Sequence, residues 1–493
     1  MIKNENIICI SSIDWDFNWQ GHQEIMSAFA KNGNRVLFLE NTGVRAPGVR
    51  DIKRIKSRLK NWSKGVKGIR KIADNLYVLS PLLLPFPYMK IARWINRRLI
   101  LSTLSKWISL TNFDDLIVWA FLPTPLSLDI IEDLPKKIVV YYCIDDLKSS
   151  SKTANKIEAY EIRLLKRADF VFVTSGALYE YSSSFNRNVY LFPFAVNFQQ
   201  FEKARLDPEG ACGITSGFKK PVIGYVGGIN VKTDQALIRK MAQECPDYSF
   251  VFAGPLETDT SAFSGIKNVY LLGNQKHRDV PYLIKSFDVC VIPYVISEYT
   301  KSVYPAKLNE YHSMGKPVVS TALPEILSFN HKNDSLVFVG RNHKEFIDKI
   351  QKALDTVDNE ELVKARIDSA RANSWLKRID DMSALLENKI RKDSDSGKDW
   401  MGSFSGFYRN LRVKFLRACF IAAGIYLFVF CTPLAWWLAN PLVIADRPQK
   451  ADCIVVFAGG VGESGRAGQG YEERVLYAAE LYKKDYAKKI LFS

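Results

Sequence analysis

The sequence predicts an α/β fold made of two doubly wound lobes, each built around a parallel sheet. Three observations carry this expectation. Short apolar strands alternate with amphipathic helices from the first residues onward. The alternation restarts at Pro221 and runs to Thr321, with glycines following the strands. The 493 residues also divide into two stretches of ordinary domain size and a distinct tail. Strands separated by helices pair in parallel, and such sheets bind ligands beyond the carboxyl ends of their strands.

In residues 1–200 the pattern predicts a strand over Ile7–Ser11, an amphipathic helix over Gln20–Asn32 and a strand over Arg35–Glu40. Further strands follow at Asp115–Ala120, Lys137–Cys143, Phe170–Thr174 and Asn188–Phe192. In residues 201–392 a strand from Pro221 enters the paired glycines Gly227 and Gly228, and a helical pattern follows over Asp234–Ala242. Next come strands at Tyr248–Ala253, Asn268–Leu272 and Asp288–Pro293, with a helix over Val280–Ser286. Pro305 suits the first turn of a helix that Gly315 ends, before the strand Pro317–Thr321.

That last helix carries the densest chemistry. Lys307 and Glu310 share one face at i,i+3 in its opening turns. A phosphate can be held by a helix N-terminus with a lysine beside it, and a carboxylate one turn on can hold the two hydroxyls of a ribose. The Gly227-Gly228 turn lets backbone N–H groups approach a pyrophosphate closely. An ordinary α/β helix with a surface Lys and Glu is the competing reading of the same segment.

From Gly224 to Thr321 the chain resembles the nucleotide-sugar domain of a GT-B glycosyltransferase, near the family 4 type and the glucuronosyltransferase-like enzymes of polysaccharide assembly. The resemblance implies two Rossmann-like lobes around an interlobe cleft. It places Glu310 on the ribose and Lys307 by the diphosphate, with Gly227, Gly228, Tyr304 and Asn309 as further nucleotide-sugar-binding positions. The family's E-x7-E pattern is imperfect, since Ser302 stands where the first Glu belongs and Glu298 lies further upstream. The start, Ser11 to Gln23, resembles the opening of teichuronic-acid and exopolysaccharide glycosyltransferases, and in that fold this loop faces the acceptor. Phe192 to Asn197 resembles the interdomain P-x-G-V-D segment, with Phe194 and Asn197 as departures.

Three residues are candidates for acid–base work. Asp145, with Asp146, follows the strand ending at Cys143 and so stands at a strand's carboxyl end, where a carboxylate can accept an acceptor hydroxyl's proton in an inverting transfer. Asp14 and His22 hold the equivalent place after the first strand, and His22 can instead bind the sugar or diphosphate. Each also has an ordinary reading, as a turn or capping aspartate or a hydrogen-bonded histidine. Asp14-Trp15-Asp16 imitates a D-x-D metal motif, but the nucleotide signals lie far downstream. The expectation is therefore no catalytic metal and no cofactor, with leaving-group charge met by backbone amides, helix dipole and Lys307.

Composition suggests lipid. The formal charge is +16, from 68 Lys+Arg against 52 Asp+Glu. Much of the excess lies between Arg45 and Lys71, where Ile52, Ile55, Leu59, Trp62, Val66 and Ile69 recur at helical spacing. A basic amphipathic helix with a tryptophan suits anionic membrane lipid, although such a stripe also packs on cores. The basic insertion extends over residues 45–110, through the aromatic loop Leu82–Tyr88 and the run Lys90–Trp107. Nucleic acid is not expected, since no nucleic-acid module appears.

After a polar linker at 393–412, the uncharged run Ala418–Ala439 predicts a transmembrane helix within 413–441. Arg409, Arg412, Lys414 and Arg417 precede it, so the positive-inside rule puts the first 392 residues in the cytoplasm and the tail outside. No cleavable signal peptide is expected, since Met1 to Asn6 lead straight into a predicted strand. Residues 450–493 read as a strand, glycine loop, helix and strand resembling the start of the DUF218 (YdcF-like, SanA-like) family, with Arg466, Glu473 and Arg474 near its loop. Such a fragment buries little apolar surface, so a truncated domain without activity is expected. The eight cysteines are scattered without a C-x-x-C pair, which suits reduced thiols rather than disulfides or zinc.

The sequence thus predicts a single-pass glycosyltransferase at the cytoplasmic face of the inner membrane. It would move a sugar from a nucleotide-sugar, UDP-linked by the resemblance, to a lipid-linked saccharide of an envelope or exopolysaccharide. A UDP-sugar 2-epimerase of the same fold and a non-catalytic membrane scaffold are the alternatives.

Overall fold

The computed structural model describes residues 1–17, 19–43, 68–147, 149, 154–208, 217–395, 400–431, 433, 437, 440, 447–457 and 469–493. They divide into two compact units, Met1–Lys392 and Asp393–Ser493.

The first unit holds two sheets. One has eight strands: β1 (Asn6–Ile10), β2 (Arg35–Leu39), β3 (Ile69–Ala73), β4 (Leu76–Leu79), β5 (Leu116–Ala120), β6 (Lys136–Cys143), β7 (Phe170–Val173) and β8 (Val189–Leu191), in the order β3-β4-β2-β1-β5-β6-β7-β8. Every neighbouring pair is parallel except β3 and β4. The other has six parallel strands: β9 (Val222–Val226), β10 (Ser249–Ala253), β11 (Val269–Gly273), β12 (Val289–Ile292), β13 (Val318–Thr321) and β14 (Val337–Gly340), in the order β11-β10-β9-β12-β13-β14.

The central strands of both sheets are largely apolar because helices cover both faces. In the first sheet Ile8, Leu37 and Val118 feed one core, while Ile7, Val36 and Ile117 feed the core on the opposite face. A one-residue slip would exchange the two sets. Both sheets reverse their winding direction internally, beside β1 and β5 in the first and beside β9 and β12 in the second. Loops that leave such a reversal splay apart and open a crevice, which fixes where a ligand can enter.

Helices needed below are α1 (Gly21–Lys31), α2 (Lys90–Thr111), α3 (Gly176–Ser183), α4 (Gln235–Glu244), α5 (Glu298–Lys301), α6 (Lys307–Ser313), α7 (Pro324–Lys332) and α8 (Trp375–Asp395). Helix α8 returns to the first lobe, where Trp375, Ile379, Met382 and Leu386 join the core around Ile25 and Phe29. The crossing is pinned at its root, where Trp375 N–H donates to the Val196 carbonyl at 2.9 Å. Trp375 also packs on the start of α1, so closely that a Cβ on Gly21 would stand 2.6 Å from its ring.

The predicted basic helix lies mostly at residues 45–67, outside the described residues. Its last stripe member, Ile69, belongs instead to strand β3, which pairs antiparallel with β4. Helical spacing was misleading here because Ile69, Arg70 and Lys71 take their partners from a neighbouring strand.

The second unit corrects the transmembrane expectation. Among the described residues no helix is long and apolar enough to cross a membrane. The helix α9 spans Trp400–Phe430, and its first half carries Arg409, Arg412, Lys414 and Arg417. The apolar part, from Ala418 to Phe430, rises about 20 Å at ~1.5 Å per residue, short of a ~30 Å hydrocarbon core. Composition alone ran the span on to Ala439; the described helix ends at Phe430, and most of residues 432–439 lie outside the described residues. The single-pass placement at the inner membrane, with its cytoplasmic and outer sides, falls with it. Further on, β15 (Ile454–Val456) and β16 (Ile490–Phe492) pair in parallel around α10 (Gln469–Lys483).

Candidate functional site

The loops after β9 and β12, on either side of the second sheet's reversal, supply most of one wall of the interlobe cleft. Gly227 leaves β9 at φ +147°, a conformation that L side chains rarely adopt. A Cβ there would lie 2.7 Å from both Cε and Nζ of Lys307. The missing side chain is therefore what lets the ammonium settle against the glycine loop. Gly254 supports this loop from β10, since a Cβ on it would meet the Gly227 carbonyl oxygen at 2.2 Å.

Helix α6 brings Lys307 and Glu310 to this loop. It is tied to β9 by Tyr311, whose hydroxyl accepts from the Val226 N–H at 2.9 Å. Lys307 Nζ donates to the Tyr294 hydroxyl at 2.8 Å and lies 5.0 Å from the Tyr225 ring centre. Burial opposes charge on this lysine, but the oxygens of Tyr225 and Tyr294 and the Glu310 carboxylate outweigh it and hold the pKa above the ordinary lysine value. The result is a fixed cation beside a bare backbone turn. Such a pairing suits a phosphate or diphosphate.

Burial pushes the Glu310 carboxyl up to about 7, against the opposing pull of Lys307. No hydrogen bond to its carboxylate is made among the described residues, so its acceptor oxygens remain open to a ligand. Tyr304 and Asn309 have a different setting. Both are buried, the Tyr304 hydroxyl faces Asn309 Oδ1 at 3.3 Å, and Asn309 Nδ2 donates to the Phe194 carbonyl at 2.8 Å. They join α6 to the interlobe segment rather than lining the glycine loop.

The first lobe contributes the opposite wall. Asp145 lies just beyond β6, and the Tyr299 hydroxyl of the second lobe donates to its Oδ1 at 3.3 Å. Burial raises the Asp145 pKa, while Lys232 and Tyr299 draw it down. His22 is buried in the first turn of α1, with Nε2 2.8 Å from Ser12 Oγ and its ring 4.1 Å from that of Phe121. Its Nδ1 has no partner among the described residues. Burial lowers its pKa to about 3, so the imidazole is neutral at ordinary pH. Asp14 is partly buried in the same loop, whereas Asp16 pairs with Arg70 at 2.7 Å. The two carboxylates of Asp14-Trp15-Asp16 thus have separate settings.

The structure groups Gly227, Gly228, Lys307 and Glu310 on one wall, and brings Asp145 to face that wall. Sequence reasoning missed Lys232, Tyr294 and Tyr299. Lys232 Nζ stands 6.0 Å from the Tyr294 ring centre and 5.4 Å from that of Tyr299. The loops carrying them are laced together by a Thr233–Tyr294 bridge and by Val295 N–H donating to the Lys232 carbonyl at 2.8 Å. The strand-end rule that pointed to Asp145 also applied to Tyr294, directly after Pro293. Tyr299 carried no local signal.

Residues 220–356, which contain this wall, match the family described as glycosyl transferases group 1. A putative teichuronic acid biosynthesis glycosyltransferase, TuaH of Bacillus subtilis strain 168, is 27% identical over 227 residues, covering 44% of this chain and 57% of its own length. The chain thus spans little more than half of that relative. Sucrose-phosphate synthase from Thermosynechococcus elongatus superposes with a TM-score of 0.58 at 14% identity, over 79% of this chain and 100% of its own. Anabaena Alr3699/HepE, solved in complex with UDP, gives 0.54 at 11% identity, over 78% and 99%. A glycosyltransferase from Rickettsia africae gives 0.55 at 14%, over 79% and 99%. These likenesses establish the two-lobed GT-B fold, and the match to the group 1 description lies in the second lobe. They give no support to the DUF218 resemblance of the tail.

Proposed function

We propose that this chain transfers a sugar from a nucleotide-sugar, UDP-linked, to a hydroxyl of a lipid-linked saccharide in envelope or exopolysaccharide assembly. The observation that carries the reading is the Lys307 ammonium seated in the space left by Gly227, one helical turn from the open carboxylate of Glu310. Lysine and glycine loop would hold the diphosphate, and Glu310 the ribose hydroxyls. As the acceptor oxygen bonds to the anomeric carbon, Asp145 would take its proton. The sugar–phosphate bond breaks and the nucleoside diphosphate leaves with the bonding pair, its charge met by Lys307 and Lys232.

The UDP in the HepE structure and the teichuronic acid pathway named for TuaH favour a UDP donor and a polysaccharide product. An anionic lipid partner is favoured by the outer side of α2. Ile91, Trp94, Leu99 and Leu110 are exposed there, and this helix carries Lys90, Arg98 and Lys106 but no acidic residue. Apolar and aromatic side chains among cations suit the headgroup layer of anionic lipid.

The test is calorimetric titration of UDP, GDP and several UDP-sugars into the wild type and Glu310→Ala. Preference for uridine nucleotides, weakened roughly tenfold or more by the substitution as expected for a lost charged hydrogen bond, is the expected result. Binding of none of them would leave a non-catalytic scaffold. Turnover of a UDP-sugar to its epimer without acceptor would favour the 2-epimerase.

A further inference from the structure

We propose that Tyr299 is a positioning residue that completes the Asp145 base across the lobe boundary, so that the base is assembled only when the two lobes face each other. The inference rests on the transferase reading above and goes beyond it by naming a residue and a condition for activity.

Asp145 and Tyr299 come from lobes with separate hydrophobic cores, yet the Tyr299 hydroxyl is 3.3 Å from Asp145 Oδ1. That distance is long for an O–H···O bond, and such contacts often tighten only when substrate is bound. Both ends are held firmly. On the first-lobe side, the Thr174 hydroxyl donates to the Ile144 carbonyl at 2.9 Å and fixes the end of β6. On the second-lobe side, α5 is a single turn closed by a reciprocal cap. Ser297 N–H donates to Thr300 Oγ1 at 2.8 Å, and Thr300 N–H donates to Ser297 Oγ at 3.2 Å. Ser302, the departure from the E-x7-E pattern, donates its hydroxyl to the Tyr299 carbonyl at 2.8 Å and anchors the same turn. The turn leads directly into α6, so the segment that presents Lys307 and Glu310 to the donor also presents a hydroxyl to the opposite lobe's carboxylate.

Lys232 completes the arrangement, its ammonium 5.4 Å from the Tyr299 ring centre. The groups facing Asp145 are Asp146 and Cys143 from its own strand end, Glu161 through Cys143, and Lys232 and Tyr299 from the second lobe. Of these, Tyr299 alone donates a hydrogen bond to the carboxylate among the described contacts. A hydroxyl in this role favours the ionised carboxylate and restrains its rotation. With the lobes apart, Asp145 lacks this bond, and a bound donor meets no oriented base.

The test compares full-length wild type with Tyr299→Phe. The first readout needs no substrate: the Asp145 carboxyl is followed by carbon-13 NMR through a pH titration, its signal assigned by its loss in Asp145→Asn. Tyr299→Phe is expected to move the Asp145 midpoint to higher pH, because the bond that favours the charged form is gone. The second readout is kinetic: kcat is expected to fall roughly tenfold or more, with donor KM unchanged and the acid limb of the kcat profile moved to higher pH. An Asp145 titration unmoved by Tyr299→Phe overturns the proposal even if UDP binds normally, as does a loss confined to donor KM. Failure of the wild type to bind any nucleotide instead overturns the transferase reading, while the NMR titration still decides the contact.

Discussion

The two walls of the cleft spend their strand ends on opposite chemistry. The second lobe offers cations and a bare backbone turn: Lys307 in the space left by Gly227, and Lys232 against the rings of Tyr294 and Tyr299. The first lobe offers a carboxylate, Asp145, beside the Tyr299 hydroxyl, while His22 is buried as a neutral imidazole. Sheets that share only their central strand order thus place cations on one side and a carboxylate on the other. The fold places both sets of loops at one cleft, and side chains alone divide the labour.

The sharpest way to break this comparison is to remove Asp145. Asp145→Asn is expected to lower kcat by roughly 100- to 10,000-fold, the range for a lost general base, while donor affinity holds. A comparable loss of donor binding would place Asp145 in the donor site. On the opposite wall, Lys307→Met is expected to weaken UDP by roughly 10- to 100-fold, as for loss of a charged hydrogen bond, measured by calorimetry.

These first two targets were legible in the sequence for different physical reasons. Lys307 and Glu310 share a helix, so their spacing alone puts them on one face. Gly227 and Asp145 follow apolar strands, so the position of a strand end locates them. Tyr294 stood at a strand end and was within reach of the same rule, but Tyr299 and Lys232 were not legible, because their meeting depends on the Thr233–Tyr294 bridge between loops from separate strands. Tyr304 and Asn309 show the converse. They sit in the same motif as Lys307, yet their polar groups engage each other and Phe194. The tail shows why composition misleads: an uncharged run fixes hydropathy, but the helix that carries it stops at Phe430.

A smaller effect comes from Glu310. Its pKa is raised from 4.5 to about 7 by burial, so the folded state binds the proton more tightly than the unfolded chain. The ionised side chain therefore costs stability as pH rises from about 4.5 through about 7, fully above that window and not at all below it. Glu310→Gln is expected to raise Tm relative to wild type at pH 8 and to leave it unchanged at pH 4, by thermal denaturation. Donor affinity in the wild type should strengthen as pH rises through about 7, and the substitution should flatten that dependence. The smallest change is expected at His22. Since burial keeps it neutral down to about pH 3, His22→Gln should lower kcat/KM by less than roughly tenfold, the loss of a neutral hydrogen bond, without moving either limb of the pH profile.

The most direct test of the division between the walls is one paired experiment: UDP titrated calorimetrically into Lys307→Met and Asp145→Asn beside the wild type, with nucleoside diphosphate release followed in the same preparations. The account predicts that Lys307→Met loses UDP affinity, while Asp145→Asn binds UDP as wild type does and releases almost none. Equal loss of UDP affinity in both variants, or wild-type affinity in Lys307→Met, would contradict it.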